Sequence, residues 1–228
     1  MRAIVLSAGL GTRMRHLTAD RPKPLVPVLG RPLIDRTLDR LTEIGVEEAV
    51  VNLHYRPEML RAYLAARTAP RIAFSDETAL LLETGGGIAK ALPLLGSAPF
   101  MAVNSDNIWI GADAFAPLVE AWDAGAMDAL LLLVPVGRAV GYARAGDFSL
   151  DGGRLVRRGD APGAPYVYTG AQILSPALYA EVPDGPFSNN LIWDRAIATG
   201  RAHGIVHPGG WCDVGTPEGL AEAEDAMR

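Results

Sequence analysis

The chain has 228 residues, 49% of them hydrophobic, and a net charge of −5 at neutral pH. That length suits one large α/β domain or a domain with a small lid, and the acidic balance excludes a nucleic-acid-binding face. One cysteine, Cys212, excludes an internal disulfide and fits a reducing cytosol, with a buried spectator thiol as its expected role.

Ala3 to Leu6 is an apolar, partly β-branched run that reads as a buried strand. It enters Ser7-Ala8-Gly9-Leu10-Gly11-Thr12-Arg13-Met14-Arg15. Small residues there let backbone N–H groups approach a phosphate, and two arginines bring charge. The dinucleotide-binding glycine pattern fails at Met14, and no Gly-Lys-Ser/Thr triplet closes a P-loop. Next comes Arg21-Pro22-Lys23-Pro24-Leu25-Val26-Pro27, whose prolines predict a stiff stretch with no helical option. Lys23 stands out because the chain has 19 arginines and only two lysines, Lys23 and Lys90. Where arginine serves wherever either will do, a retained lysine is a candidate for work that needs a compact point charge.

Pro32 to Ile44 and Pro57 to Ala66 carry apolar residues at helical spacing, and Ala49 to Leu53 and Arg71 to Phe74 read as strands. Glu83-Thr84-Gly85-Gly86-Gly87 predicts a loop leading into a helix over Ile88 to Leu95. Three glycines at a helix entrance allow close approach to a flat ring or a phosphate, or make a flexible loop. The strand Phe100 to Val103 ends in Asn104-Ser105-Asp106-Asn107, which puts Asp106 where open α/β sheets place their working residues. A helix over Ala114 to Trp122 and a strand over Asp128 to Val136 follow.

Tyr142 to Leu150 and Arg154 to Arg158 read as a hairpin turning at Asp151-Gly152-Gly153. Then come a strand over Tyr166 to Leu174, a short helix over Pro176 to Tyr179, a helix over Asn189 to Thr199, a strand over Ala202 to His207 and a closing helix over Pro217 to Met227. The alternation implies an α/β fold: a Rossmann-like mixed, mostly parallel sheet with helices on both faces. One domain over residues 1–228 is expected, changing in character after Val136 so that residues 1–136 and 137–228 form two halves. The longest apolar run, Ala129 to Val134, is far short of the about twenty residues a membrane span takes, and the first strand begins almost at Met1. A cytoplasmic protein without a membrane partner is the expectation. Asp213 lies 107 residues beyond Asp106. Magnesium binds through one or two carboxylates plus phosphate oxygens, so the two aspartates fit a metal site if they meet. Asp213 before Gly215-Thr216 equally fits a turn or helix cap.

Leu6-Ser7-Ala8-Gly9-Leu10-Gly11-Thr12-Arg13-Met14 followed by Lys23-Pro24-Leu25-Val26-Pro27 resembles the signature of sugar-1-phosphate nucleotidyltransferases. Within that family the likeness, over the whole chain, is to bacterial N-acetylmuramic acid 1-phosphate uridylyltransferases of peptidoglycan recycling, with mannose-1-phosphate guanylyltransferases near relatives. The resemblance implies transfer of a nucleoside monophosphate, from UTP, to a sugar 1-phosphate with Mg²⁺ and release of pyrophosphate. Arg13, Lys23 and Asp106 would be catalytic, and Asp106 with Asp213 would hold the metal. Leu6, Ala8, Gly9, Gly11, Thr12, Glu77, Thr84, Gly85 and Gly86 would join Arg13 and Lys23 in binding the nucleotide. Asn107, Gly146, Asp147, Asp160, Thr169 and Gly170 would bind the sugar, though turn chemistry explains Asp147 and Asp160 equally well. Many relatives carry a glutamate-lysine pair where this chain has Arg158-Gly159-Asp160, which leaves open which cation besides Lys23 meets the sugar phosphate. A guanylyltransferase and a non-catalytic nucleotide-sugar-binding regulatory protein are the alternatives.

Overall fold

Strand β1 (Ala3–Leu6) runs through the middle of the molecule because both of its faces are apolar. Ala3 and Val5 pack to one side and Ile4 to the other, all fully buried. The computed structural model describes all 228 residues. After β1 come a small β2–β3 ribbon (Pro27–Val28, Arg31–Pro32), α1 (Leu33–Glu43), β4 (Glu48–Leu53), α2 (Pro57–Leu64), β5 (Arg71–Asp76) and α3 (Glu83–Leu95). Then follow β6 (Phe100–Asn104), β7 (Asn107–Ile110), α4 (Ala116–Glu120), β8 (Ala129–Pro135) and β9 (Ala139–Val140). The last part holds β10 (Phe148–Asp151), β11 (Arg154–Arg157), β12 (Tyr166–Leu174), α5 (Asn190–Ala198), β13 (Ala202–Val206), β14 (Gly210–Asp213) and α6 (Pro217–Ala226).

Nine strands form the main sheet in the order β10-β11-β13-β8-β12-β6-β1-β4-β5. The β6-β1-β4-β5 run and the β8/β13 pair are parallel, as βαβ alternation predicts. β12 runs antiparallel between β6 and β8, and the β10–β11 hairpin extends the far edge antiparallel. The sheet is thus mixed, and its parallel character is concentrated in the first half of the chain. Helices cover both faces. Ile34, Leu38 and Leu41 of α1 and Leu60 and Leu64 of α2 pack on the Ala3/Val5 side. Ile88, Ala91 and Leu95 of α3 and Ile192 and Ala196 of α5 pack on the Ile4 side. No helix is long and apolar enough to cross a membrane.

Three departures from the sequence reading bear on function. Lys23–Leu25 forms a 3₁₀ turn, closed by the N–H of Val26 donating to Lys23 O at 2.9 Å. The prolines at 22 and 24 forbid a long helix but not one tight turn, since each fixes a φ that such a turn accepts. Helix α3 starts at Glu83, so Gly85, Gly86 and Gly87 lie inside it and not before it. Finally, β7, β9 and β14 make a second, three-stranded sheet in the order β7-β14-β9 that short, mixed-polarity runs did not announce.

Candidate active site

Two adjoining clefts open at the carboxyl ends of β1 and β6. The smaller, of about 230 Å³, is lined by Leu6, Ser7, Ala8 and Gly9 after β1, by Lys23 and Pro24, by Asn52, Leu81, Glu83 and Thr84, and by Asn104 to Asp106. The larger, of about 510 Å³, reaches from Asp106, Asp213 and Arg13 out between the β10–β11 hairpin and α5. Leu6, Thr84, Asn104 and Asp106 line both, so a molecule in one can touch a molecule in the other at Asp106.

The two carboxylates meet through the small sheet. In the antiparallel β7–β14 pair Asn107 lies opposite Asp213, and the N–H of Val214 donates to Asp106 O at 3.1 Å. Asp106 then sits just before one strand and Asp213 at the end of its neighbour. Lys23 Nζ donates to Asp106 Oδ2 at 2.5 Å from a side chain that is only 10% exposed. Burial, and then the nearby charge of Asp106, push the Asp213 carboxyl above the usual carboxylate range; Lys23, Arg13 and Arg144 pull the other way. The Arg13 guanidinium lies over Gly215, 3.3 Å from where a Cβ there would stand, on the Asp213 side of the cleft. Two half-buried carboxylates, one of them resisting ionisation, form a place that favours a cation with a preference for hard oxygen donors. No third carboxylate, histidine or cysteine gathers with them, so further ligands would come from water and from substrate phosphates.

The glycine run of α3 packs closely against the protein itself. The N–H groups of Gly85 and Gly86 both donate to Phe187 O, at 2.9 and 3.1 Å. A Cβ on Gly85 would stand 2.4 Å from the Phe187 ring, and one on Gly87 2.7 Å from Glu77 Oε1. The glycines therefore let α3 dock against the 185–188 segment and against Glu77. Glu77 is fully buried and lines neither cleft: it accepts from Asn52 Nδ2 at 2.7 Å and from the N–H of Leu82 at 3.1 Å. Asn52 Oδ1 in turn accepts from the N–H of Ser7 at 2.6 Å. This chain of bonds ties the loop after β1 to the start of α3, which makes Glu77 a brace behind the smaller cleft. Gly87→Ala should cost roughly 1–3 kcal/mol by overpacking. It should also raise the KM for nucleotide, because the Asn52–Ser7 bond shares the strain; a urea unfolding midpoint and steady-state kinetics would show both.

The remaining expected residues divide. Gly146, Asp147 and Asn107 line the larger cleft, and Thr84 lines both. Asp147 is held by Tyr142 OH at 3.1 Å and the N–H of Tyr168 at 3.0 Å. Thr169 is fully buried and donates to Leu132 O, while its own carbonyl accepts from Trp211 Nε1 at 2.8 Å. Gly170 sits at φ +82° where a Cβ would collide with Asn107 Nδ2, so both residues of the Thr-Gly pair shape the wall from behind. Gly11, Thr12 and Asp160 line neither cleft, and Asp160 is exposed beside the hairpin. The sequence reading did not single out Arg144, Arg157, Tyr168, Gln172, Asn189 or Trp193, all of which line the larger cleft. Trp193 Nε1 donates to Gln172 Oε1 at 2.6 Å, and its ring stands edge-on to Tyr168 and Phe148. Cys212 is buried behind Asp213 with its thiol pushed up to about 11 by burial, an inert neighbour.

A strand-end loop, a buried lysine on one of two neighbouring aspartates, and paired clefts that meet there describe a site where two molecules can meet at one carboxylate. Residues 2–157 match the nucleotidyl transferase family, and the chain belongs to that family. It is 48% identical over 229 residues to the N-acetylmuramate alpha-1-phosphate uridylyltransferase of Caulobacter vibrioides, covering 97% of this chain and 95% of that one. It is 36% identical to the enzyme of the same description from Neisseria meningitidis, covering 98% and 97%. Mannose-1-phosphate guanylyltransferases are more distant, at 28–30% identity. The fold matches a putative glucose-1-phosphate thymidylyltransferase from Bacillus anthracis with a TM-score of 0.85 at 18% identity, over 100% of this chain and 95% of that one. The chain is thus a sugar-1-phosphate nucleotidyltransferase.

Proposed function

We propose that the enzyme transfers uridylate from UTP to N-acetylmuramic acid 1-phosphate, releasing pyrophosphate and forming the UDP-sugar. Identity of 48% and 36% across nearly full length to two uridylyltransferases of that sugar supports the choice of base and sugar. The observation that carries the chemistry is the sharing of Asp106 by two adjoining clefts. The nucleotide occupies the smaller, with its triphosphate on the loop after β1; the sugar occupies the larger. Both reactants are anions, so holding them together and cancelling charge must supply most of the rate.

Lys23, already at the junction, stands between the α-phosphate and the incoming sugar phosphate, and Arg13 receives the leaving pyrophosphate. Asp106 and Asp213 would hold Mg²⁺, which would supply Lewis-acid polarisation of phosphate oxygens. A phosphate oxygen is nucleophile enough at neutral pH, so no general base is needed and no histidine has a role. Backbone groups of the Leu81–Thr84 stretch pair with the uracil edge, where a base with reversed donors and acceptors leaves them unpaired. This reading puts the enzyme in the cytoplasm, in recycling of cell-wall sugars. The test is pyrophosphate release from four nucleoside triphosphates against muramic, glucosamine, glucose and mannose 1-phosphates. UTP with N-acetylmuramic acid 1-phosphate is the expected optimum; a preference for GTP with mannose 1-phosphate would overturn it.

A further inference from the structure

Four arginines, Arg13, Arg144, Arg157 and Arg158, line the larger cleft. Arg13 belongs to the Asp213 end. Arg157 is spoken for: Nε pairs with Asp194 at 2.9 Å, both Nη groups bond Asn190, and its guanidinium lies over the Phe148 and Trp193 rings. Two arginines remain without a carboxylate. Arg144 stacks 4.9 Å over the Tyr142 ring centroid and is near enough to Asp213 to help hold down its carboxyl. Arg158, exposed on the opposite wall, makes one long bond, at 3.4 Å, to Ala161 O in its own turn. It forms no ion pair with either acid of that wall: Asp147 accepts from Tyr142 OH and the N–H of Tyr168, and Asp160 stands exposed in the turn.

A neutral sugar 1-phosphate brings one anion, and Lys23 and Arg144 already stand at the end where it goes. A muramic acid derivative brings a second, the carboxylate of its lactyl ether, projecting from the ring away from the phosphate. In a cleft that also holds Asp106, Asp147 and Asp213, that carboxylate needs a cation of its own. We infer that Arg158 is the specificity residue that receives a carboxylate carried on the sugar, while Arg144 serves the phosphate end. The inference rests on the substrate proposed above and adds to it the residue that selects for the acid. A guanidinium suits the task, since its planar fork matches a carboxylate with two parallel bonds.

The test compares N-acetylmuramic acid 1-phosphate with N-acetylglucosamine 1-phosphate, which lacks the lactyl group, in the parent enzyme and in Arg158→Gln, Arg158→Lys and Arg144→Gln. KM is read where there is turnover, and a competitive inhibition constant where there is none. Arg158→Gln should weaken the muramic substrate about ten- to hundredfold, with kcat little changed and the glucosamine compound unaffected. Arg158→Lys should recover part of the loss, and Arg144→Gln should weaken both sugars alike. Equal weakening of both sugars by Arg158→Gln would make it a phosphate cation and overturn the inference, as would no effect or a selective effect of Arg144→Gln. A parent enzyme that rejects N-acetylmuramic acid 1-phosphate outright overturns the proposed substrate itself, which is a separate result.

Discussion

Asp106→Asn and Asp213→Asn should each remove about two to four orders of magnitude of turnover, because each takes a full charge from the point where phosphate charge develops. Their effects on stability should have opposite signs. Asp213 carries a carboxyl whose pKa in the folded protein is raised by burial and by Asp106. The native state then binds that proton more tightly than the unfolded chain does, so stability falls as pH rises through the window above 3.8, and the full penalty stands at neutral pH. Asp213→Asn removes the penalty, and the metal-free variant should unfold at a higher urea concentration than the parent at pH 7 and at nearly the same one near pH 4. Asp106→Asn instead strands the half of an ion pair that is only 10% exposed, Lys23, at a cost of about 1–3 kcal/mol. Added Mg²⁺ should raise the midpoint of the parent and of neither variant. Near-parental turnover in either variant would show that its carboxylate is not a metal ligand, and a destabilised Asp213→Asn would refute the electrostatic account.

Lys23→Arg should lose about two to three orders of magnitude in turnover, nearly as much as Lys23→Ala. The lysine side chain is packed into a 3₁₀ turn between two prolines, with Asp106 2.5 Å from its ammonium. A guanidinium is longer and flat, and would have to displace either Asp106 or the phosphate it is meant to meet. Lys90→Arg is the control. Lys90 is exposed on α3 and donates to Asp76 O, a bond that arginine can also make. Equal losses at both positions would show that the rarity of lysine in this chain carries no functional information.

The elements that sequence reading found are those with a strong period. β1, β4, β8 and β12 are long apolar runs, and α1 and α5 carry apolar residues on one face. What escaped was short or mixed. Asn107-Ile108-Trp109-Ile110 and Gly210-Trp211-Cys212-Asp213 are strands only because they pair with each other, an arrangement no local window contains. The glycines of α3 were legible as a place of close approach, but what approaches is Phe187 and Glu77, about a hundred residues away in one case and ten in the other. Lys23 and Asp106, which line the smaller cleft, could be picked out because lysine is scarce here and the strand end is a privileged position. Arg144 and Arg158 could not, because with 19 arginines in the chain no single one is conspicuous until the fold shows which lack a partner.

The β7–β14 pairing also sets when activity can begin. A ribosome adding about 5–20 residues per second needs roughly five to twenty seconds to travel from Asp106 to Asp213. For that interval the emerging chain holds the loop after β1, Lys23 and the first aspartate, with no second carboxylate beside them. Pairing across so long a separation is also the slow part of folding, since the loop between must close before any bond rewards it. The last strand to be made is thus the one that sets Asp213 beside Asp106, and only α6 remains to be added after it.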